Sequence, residues 1–227
     1  MVDAIQLMTL LGLGLFLGLK HALDADHVVA VSTIVSHTRS LKKSSLVGIL
    51  WGLGHTLALF LVGILLLSFR FTLPYRIALS FELLVGMVLI FLGIDVLRKI
   101  KKGKTHLHEH KHGNSMHVHF HSHDNYESHI HTHKSFAVGM VHGLAGSSAI
   151  MLLILTTVSS IFQGLLFIAL FGVGTILGML AVSTVISLLF MVSSKFDKIQ
   201  NGLRILAGVF SIVFGSGIVY EVGFLIF

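Results

Sequence analysis

The sequence predicts an all-α polytopic membrane protein of about six transmembrane helices, arranged as two inverted three-helix repeats. Only 11% of its 227 residues are charged and the mean hydropathy is +0.91, whereas an average soluble domain has about 25% charged residues. The hydrophobic residues form six long segments, and the two halves of the chain resemble each other at an offset of about 121 residues. A water-soluble fold is therefore excluded.

Six apolar segments are long enough to cross a bilayer, since one span needs about 20 mostly apolar residues. They cover residues 5–36, 46–68, 77–98, 136–160, 164–192 and 203–226. As one straight helix the first segment would measure about 48 Å, well beyond the ~30 Å hydrocarbon core, and its middle carries Lys20 and the polar stretch 21–27. We expect a broken helix there. Two short spans, and hence seven in all, are the alternative.

Basic residues alternate between the loops. The loops 37–45, 98–134 and 193–204 hold 13 of the 16 Lys and Arg residues. Basic loops stay in the cytoplasm, so these three loops, including the long histidine-rich one, are predicted to be cytoplasmic in a multi-pass protein of the plasma membrane. The net charge of +6 arises mainly from these loops. It therefore indicates orientation in the lipid bilayer and no nucleic-acid partner.

The two halves align as a duplicated three-helix unit. Three segments match in order: Gly18–His27 with Gly139–Ser148, Trp51–His55 with Phe171–Thr175, and Gly86 and Gly93 with Gly208 and Gly215. Because three spans are an odd number, the second copy must run in the opposite direction across the membrane. Inverted repeats are typical of transporters, whose substrate site lies near mid-membrane where broken helices of both units meet.

Ionisable residues within the spans indicate a functional site. A charge in hydrocarbon costs about 2.5–3.5 kcal/mol or more, yet the stretch 21–27 alone contains two histidines and two aspartates. The predicted metal ligands are His21, Asp24, Asp26, His27, His55 and His142. Imidazole and carboxylate groups without sulfur suit divalent nickel, cobalt or zinc. The alternatives are a solvated polar helix end for the stretch 21–27 and hydrogen-bonded core histidines at the other two positions.

A family resemblance rests on two motifs. His21-Ala-Leu-Asp-Ala-Asp-His27 resembles the signature of the nickel/cobalt transporters, and Leu53-Gly-His-Thr56 resembles that family's second motif. In the second half, Val141–Ser148 departs from the acidic motif of the larger members and is more similar to the compact permeases associated with urease operons, the UreH type.

The resemblance covers about residues 14–60 well and implies secondary uptake of Ni²⁺, or Co²⁺, as a transported substrate with no permanently bound cofactor. It implies that the permeation site contains His21, Asp26, His27 and His55. The expected partners are the metal ion, a cytoplasmic metal chaperone and urease or hydrogenase maturation proteins. On this basis the chain divides into a first repeat with the metal-binding motif (1–98), a cytoplasmic His-rich loop (99–135) and a second, inverted repeat (136–227).

Eleven histidines lie between residues 106 and 133, many of them at alternate positions. No apolar set accompanies them, so we expect this loop to be disordered without a ligand. Neutral imidazoles at this density bind several divalent ions weakly. The loop would then act as a receiving buffer, a sensor or a gate; a polar spacer is the alternative.

The function predicted is a secondary permease for a divalent transition metal, nickel first. The alternatives are an exporter of metal or of a small anion, a membrane-embedded metalloenzyme and a pure metal sensor. An anion carrier does not need two acids and two histidines in seven residues, a sensor does not need an intramembrane cluster, and no general base distinct from the ligands is visible for an enzyme. We therefore predict transport driven by a gradient, and no enzymatic activity.

Overall fold

The computed structural model describes residues 4–38, 40–69, 73–102, 108–112, 115–119, 132–158 and 160–226. Within them the chain forms α-helices and one two-stranded sheet. The elements in order are α1 (Ala4–His21), α2 (Ala25–Val35), α3 (Leu41–Phe69), α4 (Tyr75–Lys102), β1 (His108–His112), β2 (Ser115–His119), α5 (Thr132–Thr157), α6 (Ile161–Ser193) and α7 (Asp197–Ile226). Each of the six apolar segments predicted from the sequence is helical.

Membrane-spanning length is reached throughout the bundle. By length and composition, four helices, α3, α4, α6 and α7, can each cross a membrane, and α1 with α2, bent by 53° at their break, makes a fifth if the pair counts as one span. The 26 residues of α5 extend about 39 Å, which is long enough to cross a membrane, although this helix is not among those five. The predicted multi-pass, all-α membrane fold is confirmed, and so is the broken first helix. At 11 residues, or about 16 Å, α2 is too short to be a separate span.

The break between α1 and α2 is a tight turn. The backbone N–H of Leu23 donates to the carbonyl of Lys20 at 2.9 Å, and that of Asp24 donates to His21 at 3.0 Å. Asp24 then adopts an extended conformation as the N-cap residue of α2. The second half has no such break, because α5 is continuous through residues 142–148, where the aspartates have no acidic counterparts. The break is therefore confined to the first half, where the sequence predicts it.

Close contacts at glycines show the relative directions of the helices that pack together. α3 packs mainly on α5 and α6, α1 packs on α6, and α4 packs on α7. Gly52 lies against Ile176 whereas Gly172 lies against Thr56, so α3 and α6 are antiparallel. Small residues of this kind let helix backbones approach each other in a membrane.

Corresponding helices of the two halves run in opposite directions. The remaining close pairs are Gly14 with Phe167 and Gly18 with Phe171 between α1 and α6, Gly139 with Trp51 and Gly143 with His55 between α3 and α5, and Gly86 with Gly215 and Gly93 with Gly208 between α4 and α7. The order of these pairs makes α1 parallel to α6, α5 parallel to α3, and α4 antiparallel to α7. Consequently α1 opposes α5, and α3 opposes α6.

Several contacts of one half recur in the other. A Cβ added to Gly18 would meet the carbonyl of Phe171, and one added to Gly139 would meet the carbonyl of Trp51. These two contacts are related by the offset of about 121 residues found in the sequence. The contact between Gly86 and the α7 backbone has a similar counterpart at Gly93.

Two apolar clusters lie at different levels of the bundle. Along α3, Val47 and Trp51 belong to one cluster and Leu59 and Leu66 to the other. His55 lies between them. The first cluster is nearer the end that carries the loops 37–45, 98–134 and 193–204, which we call the basic side; the second is nearer the opposite side.

A short hairpin occupies part of the histidine-rich loop. β1 and β2 pair antiparallel, with His108 opposite His119 and His110 opposite His117. The expectation of disorder is therefore wrong for these ten residues, because alternation with a period of two is the period of a β-strand. The other residues of this loop up to 131 lie outside the described part of the chain.

Candidate metal centre

The helix break brings four histidines from four helices together. His21 ends α1 and His27 lies in the first turns of α2, while His55 lies in the middle of α3 and His142 in the middle of α5. His27, His55 and His142 are at most 1% exposed, and His21 is mostly buried. Four imidazoles in the middle of a membrane bundle are costly unless they bind something.

The rings are close enough to share one ion. One nitrogen from each of His21, His27 and His55 lies within 4.8 Å of the others. The ring centre of His21 is 4.6 Å from that of His27 and 5.0 Å from that of His55. The ring of His142 extends the group, with its centre 5.2 Å from that of His27.

Hydrogen bonds to the Nδ1 atoms orient three of the rings. Nδ1 of His21 lies 2.6 Å from a carboxylate oxygen of Asp24, and Nδ1 of His27 lies 3.1 Å from one of Asp26. Nδ1 of His142 donates to the carbonyl of Val138 at 3.0 Å. Since carboxylates and carbonyls are acceptors, each Nδ1 carries a proton, and in the neutral ring Nε2 keeps a lone pair.

The lone pairs that remain are unpartnered. Among the described residues, Nε2 of His21, His27 and His142 and both ring nitrogens of His55 are buried without a hydrogen-bond partner. Buried polar atoms almost always have a partner. A divalent metal ion is a suitable one, because neutral imidazole is the commonest metal ligand and its second nitrogen is typically bound to a carboxylate or carbonyl, as here.

The two aspartates contact the rings from the Nδ1 side. Their side chains are partly exposed, 50% for Asp24 and 29% for Asp26. Asp24 is the N-cap of α2, but its side chain bonds to His21 and not to the α2 backbone. Asp26 lies in the first turn of α2, where the helix dipole favours a negative charge. Their combined charge of −2 would balance one divalent cation.

Three further residues border the centre. A Cβ added to Gly146 would lie 3.5 Å from Nε2 of His21 and 4.0 Å from Cε1 of His55. The ring of Trp51 is centred 4.8 Å from that of His142, and the ring of Phe171 is centred 5.4 Å from that of His21. The sequence did not single out these residues as part of the site. Trp51 and Phe171 could have been found from the repeat, since they are aligned with each other there.

A charged cluster ties the helices together at the basic side. Asp95 of α4 accepts hydrogen bonds from Lys99 at 3.0 Å and from Lys134 at 3.1 Å, so the end of the histidine-rich loop is attached to α4. Nearby, burial together with the positive charges of Arg204 and Lys99 lowers the pKa of His37 to about 4. His37 is therefore neutral at physiological pH.

The comparisons with known proteins agree with the sequence motifs. The urease accessory protein UreH of Bacillus sp. (strain TB-90) is 40% identical over 234 residues, covering 98% of this chain and 95% of the relative. A family model described as the cytochrome c biogenesis protein transmembrane region matches residues 66–217. No solved structure matches the chain. The chain therefore belongs to the family of the urease accessory protein UreH, whose compact type the second-half motif predicted, and to that wider family of transmembrane regions.

Proposed function

We propose that this chain is a secondary permease that carries a divalent transition metal ion, Ni²⁺ first and Co²⁺ second, across the plasma membrane into the cytoplasm. The observation that carries the proposal is the buried centre of His21, His27, His55 and His142, whose unpartnered nitrogens lie at a break in a membrane-spanning helix. The description of a 40% identical relative as a urease accessory protein supports nickel as the substrate.

The donor set favours borderline transition metals. Imidazole nitrogens suit nickel, cobalt, copper and zinc, whereas magnesium and calcium prefer oxygen ligands. The chain has no cysteine, which argues against a site for a soft ion such as Cu(I). The ion is substrate here and passes through, so we propose no permanently bound cofactor.

Two inverted copies of one three-helix unit would provide the path of the ion across the membrane. The antiparallel courses of α1 and α5, of α3 and α6 and of α4 and α7, with the recurring glycine contacts, support a duplicated unit over residues 1–98 and 136–227. In such transporters one unit rocks against the other around a fixed mid-membrane site. The imidazole centre, contributed by both units, is that site.

The membrane potential is a sufficient driving force. Moving one charge inward is favoured by about 2.3 kcal/mol per 100 mV, and hence a dication by about twice that amount. Uptake then requires no nucleotide. The inward direction follows from the sign of the potential; the positive-inside rule gives only the orientation, with the basic side in the cytoplasm.

The histidine-rich loop (99–135) would receive the ion in the cytoplasm. Its hairpin register pairs histidines across the strands, an arrangement that suits weak, exchangeable binding of several ions. From there a metal chaperone or a urease or hydrogenase maturation protein would take the metal. Export of a metal or of a small anion is the alternative function. The four lone-pair donors argue against an anion, because they attract cations; the uptake assay below distinguishes import from export of a metal.

Thiol–disulfide exchange is not available to this chain. Thiol–disulfide exchange requires a thiolate, and this chain has no cysteine.

Accumulation of radioactive nickel in cells tests the proposal. We expect cells that express the protein to accumulate nickel, His27→Ala to abolish accumulation, and cobalt to compete better than manganese or magnesium. Lys20→Ala, a change one residue outside the motif, is the matched control and should retain uptake. No accumulation above empty cells, with the protein inserted in the membrane, would contradict uptake and favour export.

A further inference from the structure

We propose that Trp51 and Phe171 close the imidazole centre on its two sides and thereby determine which ions pass. This inference rests on the proposed permease function and adds to it the residues that exclude hydrated ions. It concerns two apolar side chains that bind no metal themselves.

The two rings lie on opposite sides of the centre. Trp51 precedes His55 by one helical turn on α3, so it lies about 6 Å nearer the basic side. Phe171 precedes Thr175 by one turn on α6. Because α6 is antiparallel to α3, Phe171 lies nearer the opposite side, at the level of the turn after His55. The two aromatic residues are thus about 9 Å apart along the bundle axis, with the imidazoles between these levels.

Each ring contacts the histidines directly. Trp51 contacts His142, and its ring centre lies 6.2 Å from that of His27. Phe171 contacts His21 on the other side. Trp51 is fully buried and Phe171 is 2% exposed. Both rings are buried within the bundle, so an ion that moves along this axis must displace one of them.

An apolar cluster continues beyond each ring. On the basic side Trp51 packs with Val47 and Met179, and on the opposite side Phe171 packs with Phe167 and Leu59. These side chains offer no ligand to replace water. An ion can therefore shed its water only onto the imidazoles, which favours nickel over magnesium, because magnesium gives up its water reluctantly.

One further observation is consistent with displacement of the Trp51 ring. Its indole N–H is buried without a hydrogen-bond partner among the described residues. A buried tryptophan N–H usually has an acceptor. Displacement of the ring breaks no hydrogen bond of this group, so it costs only the packing of the ring.

The absence of cysteine provides a clean reporter. Gly146→Cys introduces a single thiol into the chain, and its Cβ would make ordinary contacts with the rings of His21 and His55 at 3.5 to 4.0 Å. In metal-free vesicles of known orientation, a membrane-impermeant cationic thiol reagent is applied from one side at a time. The rate of modification measures access to the centre from that side.

Removal of one ring should open one side. Trp51→Ala in the reporter background should raise the modification rate from the basic side at least tenfold and leave the rate from the opposite side unchanged; Phe171→Ala should do the reverse. Phe190→Ala is the matched control, because Phe190 is a buried aromatic residue of the same basic-side cluster, with no ring contact to the four histidines among the described contacts. It should change neither rate.

Selectivity is the second measurement. Without the reporter, Trp51→Ala and Phe171→Ala should let magnesium compete with nickel at least tenfold better than in the wild type, whereas Trp51→Phe, which keeps a ring, should restore discrimination. If an alanine variant does not insert in the membrane, Trp51→Leu and Phe171→Leu replace it. Unchanged rates, or equal increases from both sides, would overturn the proposal. The labelling requires no transport, so a failure of nickel uptake in the wild type would be seen separately.

Discussion

Replacing Gly146 with alanine should separate transport from stability. The added methyl carbon would lie 3.5 Å from Nε2 of His21, 3.6 Å from its Cε1 and 4.0 Å from Cε1 of His55. These are ordinary contacts, so the protein can accept the methyl group without rearrangement. It would nevertheless stand between two rings that are proposed to share one ion.

The loss of metal affinity can be estimated from this geometry. A metal–imidazole bond is about 2.1 Å long, so an ion bound to His21 on the Gly146 side would lie within about 3 Å of the new carbon, and no ligand fits between them. Disturbances next to a metal site typically cost 10- to 100-fold in affinity, or about 1.4–2.7 kcal/mol. We expect nickel uptake at low concentration to fall by that factor.

Stability should change in the opposite direction. Glycine in the middle of a helix is less stable than alanine by roughly 0.5–1 kcal/mol, so Gly146→Ala should melt at the same or a higher temperature in detergent. Gly217→Ala is the matched control, because a Cβ there has no neighbour within 4 Å; it should gain similar stability and keep full uptake. Wild-type uptake by Gly146→Ala would refute the assignment of the ion to the space between these rings.

Three further predictions concern packing, pH and the loop. Gly143→Ala should lower the melting temperature and destabilise the protein by about 1–3 kcal/mol, because its Cβ would lie 2.9 Å from that of Ala58; a melting temperature equal to that of the wild type would contradict this packing. The pKa of His37 is about 4 in the folded protein, against an ordinary value of 6.5. As the pH falls from 6.5 to 4 the unfolded chain therefore takes up a proton that the folded protein does not, and the free energy of unfolding should decrease by up to about 3 kcal/mol. In thermal unfolding His37→Gln should lose less stability over that range than the wild type; an equal loss in the two proteins would contradict this. Exchanging Glu109 with His110 keeps the composition but interrupts the alternation of histidines along β1, so equilibrium dialysis should detect weaker nickel binding. Unchanged binding would mean that composition alone matters.

The parts of the fold that depend on the cost of burial were predictable. A segment of 32 mostly apolar residues with charges in its middle cannot be one straight span, and the structure has α1 and α2 there with a bend. Likewise, ionisable residues in apolar segments are costly in a membrane and therefore indicate a functional site. This reasoning selected His21, His27 and His55, which the structure brings together, and His142, which it places beside them.

The parts that depend on the direction of a side chain were not predictable. The contacts of Asp24 and Asp26 with the Nδ1 atoms of neighbouring histidines could not be predicted from the sequence, because they depend on the backbone path through the turn at residues 22–24. Nor could the continuity of α5 be predicted, since a glycine-rich stretch suits both a break and a close helix contact. Gly146 borders the centre because α5 packs on α3 and the His21 ring lies beside it, which no local pattern reveals.

Nickel uptake into proteoliposomes tests the central claim most directly. The purified wild type, His27→Ala and a variant with alanine at the histidines of residues 106–131 would be reconstituted, and an inside-negative potential would be imposed. If the ion passes through the imidazole centre, the wild type accumulates nickel in proportion to the potential, His27→Ala stays at the level of empty liposomes, and the loop variant still transports. Accumulation by His27→Ala at the wild-type rate, or none by the wild type, would contradict it.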